Sequence, residues 1–141
     1  MTLGIDQLTV GDVHEAVVVE GITRTQIVQY AGASGDFNPL HTDELYSTQV
    51  AGNPTVMAHG MLVMGLAGKA LTDYVGDGRL TQFGGRFVAS TWPGDTLRVQ
   101  LTVAELTNEA PDGPSARFDV RAVNQEDAMV FSGSATARLD G

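Results

Sequence analysis

The sequence predicts an α+β domain in which an antiparallel sheet of about five strands wraps around one long buried helix. Three observations lead there. Residues 60–75 read as a helix whose first half is ringed by Met61, Leu62, Val63, Met64, Leu66 and Ala67, and a helix apolar on all sides belongs inside a protein. Beyond Gly76 the chain alternates between apolar and polar residues, in runs separated by Gly, Pro, Asn and Asp. The 141 residues are 43% hydrophobic and 18% charged, which suits one ordinary core and excludes a disordered chain. With no repeat, linker or low-complexity segment, a single domain over residues 1–141 is expected.

Taken in order, residues 12–20 alternate as a strand, with Val13, Glu15, Val17 and Val19 on one side and His14, Ala16 and Val18 on the other. Both sides are partly apolar, which suggests cover on both; His14 reads as a surface residue. Thr23-Arg24-Thr25-Gln26 has the form of a capping box. Ile27, Tyr30, Ala31 and Ser34 then share a helical face that ends at Gly35, a residue able to take the positive φ of a helix terminus. Thr42 to Tyr46 begins a second short helix, in which Asp43 and Glu44 read as solvated charges at the positive end. Residues 51–55, Ala-Gly-Asn-Pro-Thr, form a loop. The 60–75 helix should be about 24 Å long. Gly65 and Gly68 within it would let a sheet or another backbone approach closely, and Met57, Met61 and Met64 read as core filling. Gly76-Asp77-Gly78 ends it.

Residues 80–89 form a strand containing Gly84-Gly85, a signal for a bulge or a close approach. Trp92-Pro93-Gly94-Asp95 is a turn. Leu97, Val99, Leu101 and Val103 alternate with Arg98, Gln100 and Thr102 in a half-exposed strand. Pro111-Asp112-Gly113-Pro114 and Asn124-Gln125-Glu126-Asp127 read as hairpin connections around two further strands.

The formal net charge of −9 excludes a nucleic-acid ligand, whose backbone demands a basic face. It also opposes a strongly acidic partner unless the few arginines cluster. Zero cysteines exclude disulfides, thiolate metal sites and a cysteine nucleophile. No apolar run is long enough for a membrane span. The first residues lack a basic stretch followed by an apolar one, so no signal peptide is expected and the cytoplasm is the expected compartment.

The chemistry concentrates in Tyr30-Ala-Gly-Ala-Ser-Gly-Asp36-Phe-Asn38-Pro39-Leu-His41. Pro39 lacks an amide hydrogen and pushes Asn38 towards extended geometry, so this segment is a rigid turn carrying a carboxylate and an imidazole five positions apart. Such a pair suits acid–base work. The simpler reading is that Asp36 and Asn38 close an Asx-turn while His41 caps a neighbouring element.

The run from Tyr30 to His41, with Ala58-His59-Gly60-Met61-Leu62 some twenty residues on, resembles the hydratase-2 motif of the MaoC-like dehydratases, the (R)-specific enoyl thioester hydratases. Within that family the chain looks most similar to the catalytic subunit of the (3R)-hydroxyacyl-ACP dehydratases. The resemblance is good over residues 10–101 and loose afterwards. It implies the hotdog fold and an acyl-CoA or acyl-ACP thioester as substrate. Asp36 and His41 would hold one water and add it syn, giving the (3R)-hydroxyacyl product. Gly60 would offer its amide hydrogen, at the positive helix start, to the enolate oxygen; the alternative for Gly60 is helix-start packing. His59 would orient the turn or touch substrate, and Asn38 would brace it. Many simpler hydratases of the family carry a serine where this chain has Gly68. A thioesterase on the same fold and a non-catalytic, tunnel-shaping heterodimer partner are the rival readings. No metal, nicotinamide or flavin site is expected, since there are three histidines, no cysteine and no dinucleotide fingerprint. A homodimer, or a heterodimer with another hotdog subunit, is the expected assembly.

Overall fold

The structure is a computed structural model that describes residues 2–109, 111 and 113–141. Strands β1 (Val13–Val19), β2 (Leu80–Phe87), β3 (Leu97–Thr107), β4 (Ser115–Val123) and β5 (Met129–Arg138) form one sheet. Its order is β1-β3-β4-β5-β2 and every pairing is antiparallel. Helix α1 (Arg24–Ser34) precedes the site, and helix α2 (Gly60–Val75) lies across the sheet, touching all five strands. This is the hotdog arrangement. Among the described residues no helix is long and apolar enough to cross a membrane.

The core lies between α2 and the inner sheet face. Leu97, Val99, Leu101 and Val103 of β3, Phe118, Val120 and Ala122 of β4, and Phe131, Ala135 and Ala137 of β5 meet Val63, Ala67, Ala70, Leu71 and Val75 of α2. The alternation predicted for β3 is therefore the alternation of core and surface.

Local signals end where they were expected. Thr23 Oγ1 accepts from Gln26 N at 3.0 Å while Gln26 Oε1 accepts from Thr23 N at 2.8 Å, closing the capping box of α1. Gly35 terminates α1 with φ of 76°. Between β4 and β5, Asn124 Oδ1 accepts from the amides of Glu126 at 2.9 Å and Ala128 at 3.1 Å. In the predicted Pro111–Pro114 connection, Asp112 lies outside the described residues.

Several expectations are corrected. Helix α2 is buried along one stripe and not all round, because a single curved sheet covers only part of a helix circumference. Met61 is 54% exposed and so is not core filling. The outer face of β1 is also open, leaving Val13 and Val17 more than half exposed at 58% and 55%. His14 faces inward, its ring stacked on Tyr74 with centroids 4.0 Å apart. Burial, reinforced by the charge of Asp12, holds the Tyr74 phenol above its ordinary pKa. The second short helix is a π-helical turn over Tyr46–Val50, entered through Asp43, whose Oδ1 accepts from Tyr46 N at 3.2 Å. Glu44 is not a free solvated charge. Arg24 Nη1 donates to its Oε2 at 2.6 Å and the Thr55 hydroxyl donates to the same oxygen at 3.0 Å. These two donors hold the Glu44 carboxyl below the usual carboxylate range.

Two of the three glycines of α2 admit aromatic rings, not backbone. A Cβ on Gly68 would stand 3.5 Å from the Phe83 ring, and one on Gly60 would stand 3.0 Å from the Phe87 ring, whereas Gly65 faces open space. Phe83 and Phe87 are four strand residues apart, about 13 Å. Gly60 and Gly68 are eight helix residues apart, about 12 Å. The two rings of β2 thus mesh with the two gaps in α2. True backbone approach occurs between strands, where Gly85 pairs with Gly133. There a Cβ on Gly85 would lie 2.6 Å from Ser132 O, and one on Gly133 would fall on the Gly84 carbonyl oxygen.

Candidate active site

The segment after α1 is built from short side-chain caps. Ser34 Oγ accepts from Asp36 N at 3.1 Å, Asp36 Oδ1 from Asn38 N at 3.3 Å, and Asn38 Oδ1 from Leu40 N at 3.1 Å. Asn38 is the N-cap of a 3-10 turn over Pro39–His41, with Pro39 in the first position, where its missing N–H leaves no bond unmade. Asp36 therefore does close an Asx-turn, but with one oxygen only. Its Oδ2 is left 3.7 Å from His41 Nε2.

His41 is tied to the segment before α2 from both directions. Met57 N donates to Leu40 O at 3.0 Å, and His41 Nδ1 lies 2.5 Å from Met57 O. A carbonyl can only accept, so Nδ1 carries a proton, and Nε2 is the nitrogen turned towards Asp36. The imidazole is 10% exposed and the Asp36 side chain 54%, so the pair is embedded at one end and open to water at the other.

His59, 2% exposed, braces this arrangement. Its Nε2 donates to the Asp36 carbonyl at 3.0 Å, and its ring stacks on His41 with centroids 3.7 Å apart. Tyr30 of α1 packs edge-on against the other side, 4.9 Å between centroids. His59 Nδ1 has no hydrogen-bond partner among the described residues. Ligand atoms of Asp36, His41 and His59 lie within 4.8 Å of one another, a spacing a metal ion can bridge. The two imidazoles are face to face, however, so their in-plane lone pairs run side by side and do not converge on one point. Carbonyls already occupy one nitrogen of each ring.

Gly60 opens α2, where an amide hydrogen has no intrahelical acceptor and the dipole is positive. Beside it is a cavity of about 320 Å³ walled by Ala58, Gly60, Val63, Phe87, Thr91 and Val130, among others. Asp36 and His41 are not among its walls. The segment Met57–Gly60 serves both sites: the Met57 carbonyl and His59 ring hold the pair, while Met57, Ala58 and Gly60 wall the cavity. The structure thus gathers Asp36, Asn38, His41, His59 and Gly60 at the amino end of α2.

Sequence reasoning missed the clamp around them. Arg24 Nη2 donates to Thr55 Oγ1 at 2.9 Å, completing the Arg24–Glu44–Thr55 triangle, and Ser47 Oγ donates to Thr55 O at 2.7 Å. No periodicity announces such contacts between loops. The role of the Met57 carbonyl was equally invisible, since a backbone acceptor leaves no side-chain signature.

The fold and motif have known counterparts. The chain is 37% identical over 89 residues to 3-hydroxyacyl-thioester dehydratase Y of Mycobacterium tuberculosis, an alignment covering 61% of this chain and 31% of that protein. It is 27% identical over 117 residues to the (R)-specific enoyl-CoA hydratase of Aeromonas caviae, covering 81% of this chain and 84% of the relative. The solved R-hydratase PhaJ1 of Pseudomonas aeruginosa superposes with a TM-score of 0.85 at 28% identity, covering 99% of this chain and 86% of the other. The chain spans about a third of the length of two Mycobacterium tuberculosis relatives, 31% of the dehydratase Y and 32% of enoyl-CoA hydratase ChsH3. The model of the MaoC like domain matches residues 7–133, and this chain belongs to that family.

Proposed function

We propose that this chain hydrates trans-2-enoyl thioesters and, in reverse, dehydrates (3R)-hydroxyacyl thioesters, with the acyl group carried on CoA or an acyl carrier protein in fatty-acid metabolism. The observation that carries the reading is the Asp36 Oδ2–His41 Nε2 gap of 3.7 Å. It is too long for a direct hydrogen bond, and a single water oxygen can reach both atoms. Such a water gives one proton to the pair as its oxygen bonds C3. The pair returns a proton to C2, ending in the protonation state in which it began. Charge builds meanwhile on the thioester oxygen, and the Gly60 amide at the positive end of α2 is placed to receive it. The names of the Mycobacterium tuberculosis and Aeromonas caviae relatives support this chemistry.

The test is to purify the chain and assay crotonyl-CoA and a long-chain enoyl-CoA. Loss of the conjugated enoyl absorbance without release of free thiol is expected. Release of free CoA would make it a thioesterase.

Replacing Gly60 by Ala tests the proposed oxyanion donor. The substitution keeps the N–H, and Gly60 has no positive φ, so the backbone accepts alanine. The new methyl meets the Phe87 ring at 3.0 Å, and that ring is 49% exposed and free to give way. Because Gly60 and Phe87 both wall the cavity, the methyl and the displaced ring crowd the thioester's approach to the amide, and a fall in kcat of at least tenfold, about 1.4 kcal/mol, is expected with little loss of thermal stability. Unfolding would make helix-start packing the role of Gly60, and unchanged turnover would move the donor elsewhere.

A homodimer completes the proposal. Among the described residues β2 is an edge strand of the sheet, and Phe37 and Met61 are exposed around the amino end of α2. Light scattering should give twice the chain mass at micromolar concentration. A stable, active monomer would contradict it, and an inactive chain rescued by a second hotdog subunit would make the dimer heterologous.

A further inference from the structure

The exposed ring of Phe87 has a role that the acid–base pair does not supply. Phe87 is the last residue of β2, opposite Phe131 on β5. Past it the ladder slips: the amides of Val88 and Ala89 both point to Val130 O, at 2.9 and 3.5 Å, and the chain leaves the sheet to wall the cavity beside Gly60. The Phe87 ring is held on one flank by Phe131, 5.8 Å between centroids, and on another by Gly60. The rest of it faces solvent and the cavity.

Most of the other walls, among them Ala58, Val63, Val88 and Val130, are apolar, with Ser90 and Thr91 the two that carry hydroxyls. An acyl chain leaving a thioester bound at Gly60 therefore finds a mostly apolar cavity in which it meets this ring. Phe83, four residues back on the same strand face, packs on Phe131 at 5.8 Å and sits over Gly68. The Phe87–Phe131–Phe83 series thus closes the groove between α2 and β2. Phe131 is fully buried, whereas Phe87 is 49% exposed, so Phe87 alone can be altered without opening the core.

We infer that Phe87 determines acyl-chain length specificity: its ring caps the cavity beside Gly60 and restricts the chain to short acyl groups. The inference rests on the thioester reading above. Each methylene newly buried raises affinity roughly fourfold, so clearing the ring should favour long chains progressively.

The experiment measures calorimetric binding of butyryl-CoA and octanoyl-CoA, which cannot react, to wild type, Phe87→Ala, Phe87→Leu and Phe87→Trp, beside hydration of the matching enoyl-CoAs. The alanine variant should raise the octanoyl-to-butyryl affinity ratio at least about tenfold, leucine should raise it less, and tryptophan should lower it. The kcat/KM ratios should follow. A ratio unchanged across the folded variants overturns the role of Phe87 and leaves the hydratase reading standing if wild type turns over. A shifted ratio with no hydration by wild type retains the acyl channel and overturns the hydratase reading. Absence of any acyl-CoA binding overturns both.

Discussion

Replacing Asp36 by Asn, or His41 by Ala, should lower the hydration rate between about 100-fold and about 10,000-fold, the range spanned by positioned acid–base groups. Asparagine preserves the shape of Asp36, and its side-chain oxygen can still accept from Asn38 N, so the turn survives. What is lost is an oxygen able to take and return a proton. The His41 change is less gentle. The Met57 carbonyl loses its donor and the His59 ring its stacking partner, costing about 1–3 kcal/mol of stability. His41→Gln, which keeps an N–H within reach of that carbonyl, separates lost chemistry from lost packing. Because the two groups are expected to serve one water, the double variant should be little slower than the worse single one. Steady-state rates with crotonyl-CoA, read beside circular-dichroism melts, check all four proteins. Near-normal turnover in a folded Asp36→Asn variant would remove the pair from the mechanism.

Gly133→Ala should be the most damaging small change in the sheet. The added carbon falls on the Gly84 carbonyl oxygen and within 2.9 Å of Gly85 Cα. Both obstacles are backbone in a paired strand, so neither can turn aside as a side chain would. A loss of at least about 3 kcal/mol is expected, lowering Tm by about 10 °C. Gly84→Ala supplies the control. A Cβ there meets nothing within 4 Å, so its cost should stay within about 1 kcal/mol. Equal melting temperatures for the two variants would contradict the close approach of β2 and β5.

That contrast also shows what a sequence discloses. Gly84-Gly85 stands out as a break in an alternating strand, yet Gly133 looks unremarkable until the register places it opposite Gly85. Strand partners are chosen by long-range packing, and alternation reports only which residues share a face. By the same logic, the start of α1 at Thr23 and its end at Gly35 were legible because caps are made within a few residues. The extent of α2 was legible from its apolar run, but its open side was not, because the run does not reveal how far a five-stranded sheet reaches around it. At the site, Pro39 and the spacing of Asp36 and His41 announced a rigid turn carrying two polar groups. The tie of His41 to Met57, the Arg24–Glu44–Thr55 triangle and the ring of Phe87 over Gly60 join segments distant in sequence, and no local pattern encodes them.

Two groups 3.7 Å apart can address only one face of a planar enoyl group, and the most direct test reads that face. Crotonyl-CoA would be hydrated in deuterium oxide and the product analysed for configuration at C2 and C3. The expected product is the (3R)-hydroxyacyl thioester, with deuterium at C2 on the same face as the new hydroxyl. Deuterium on the opposite face would show that the Asp36–His41 pair does not deliver both the water and the proton, and a (3S) product would contradict the (R)-specific reading.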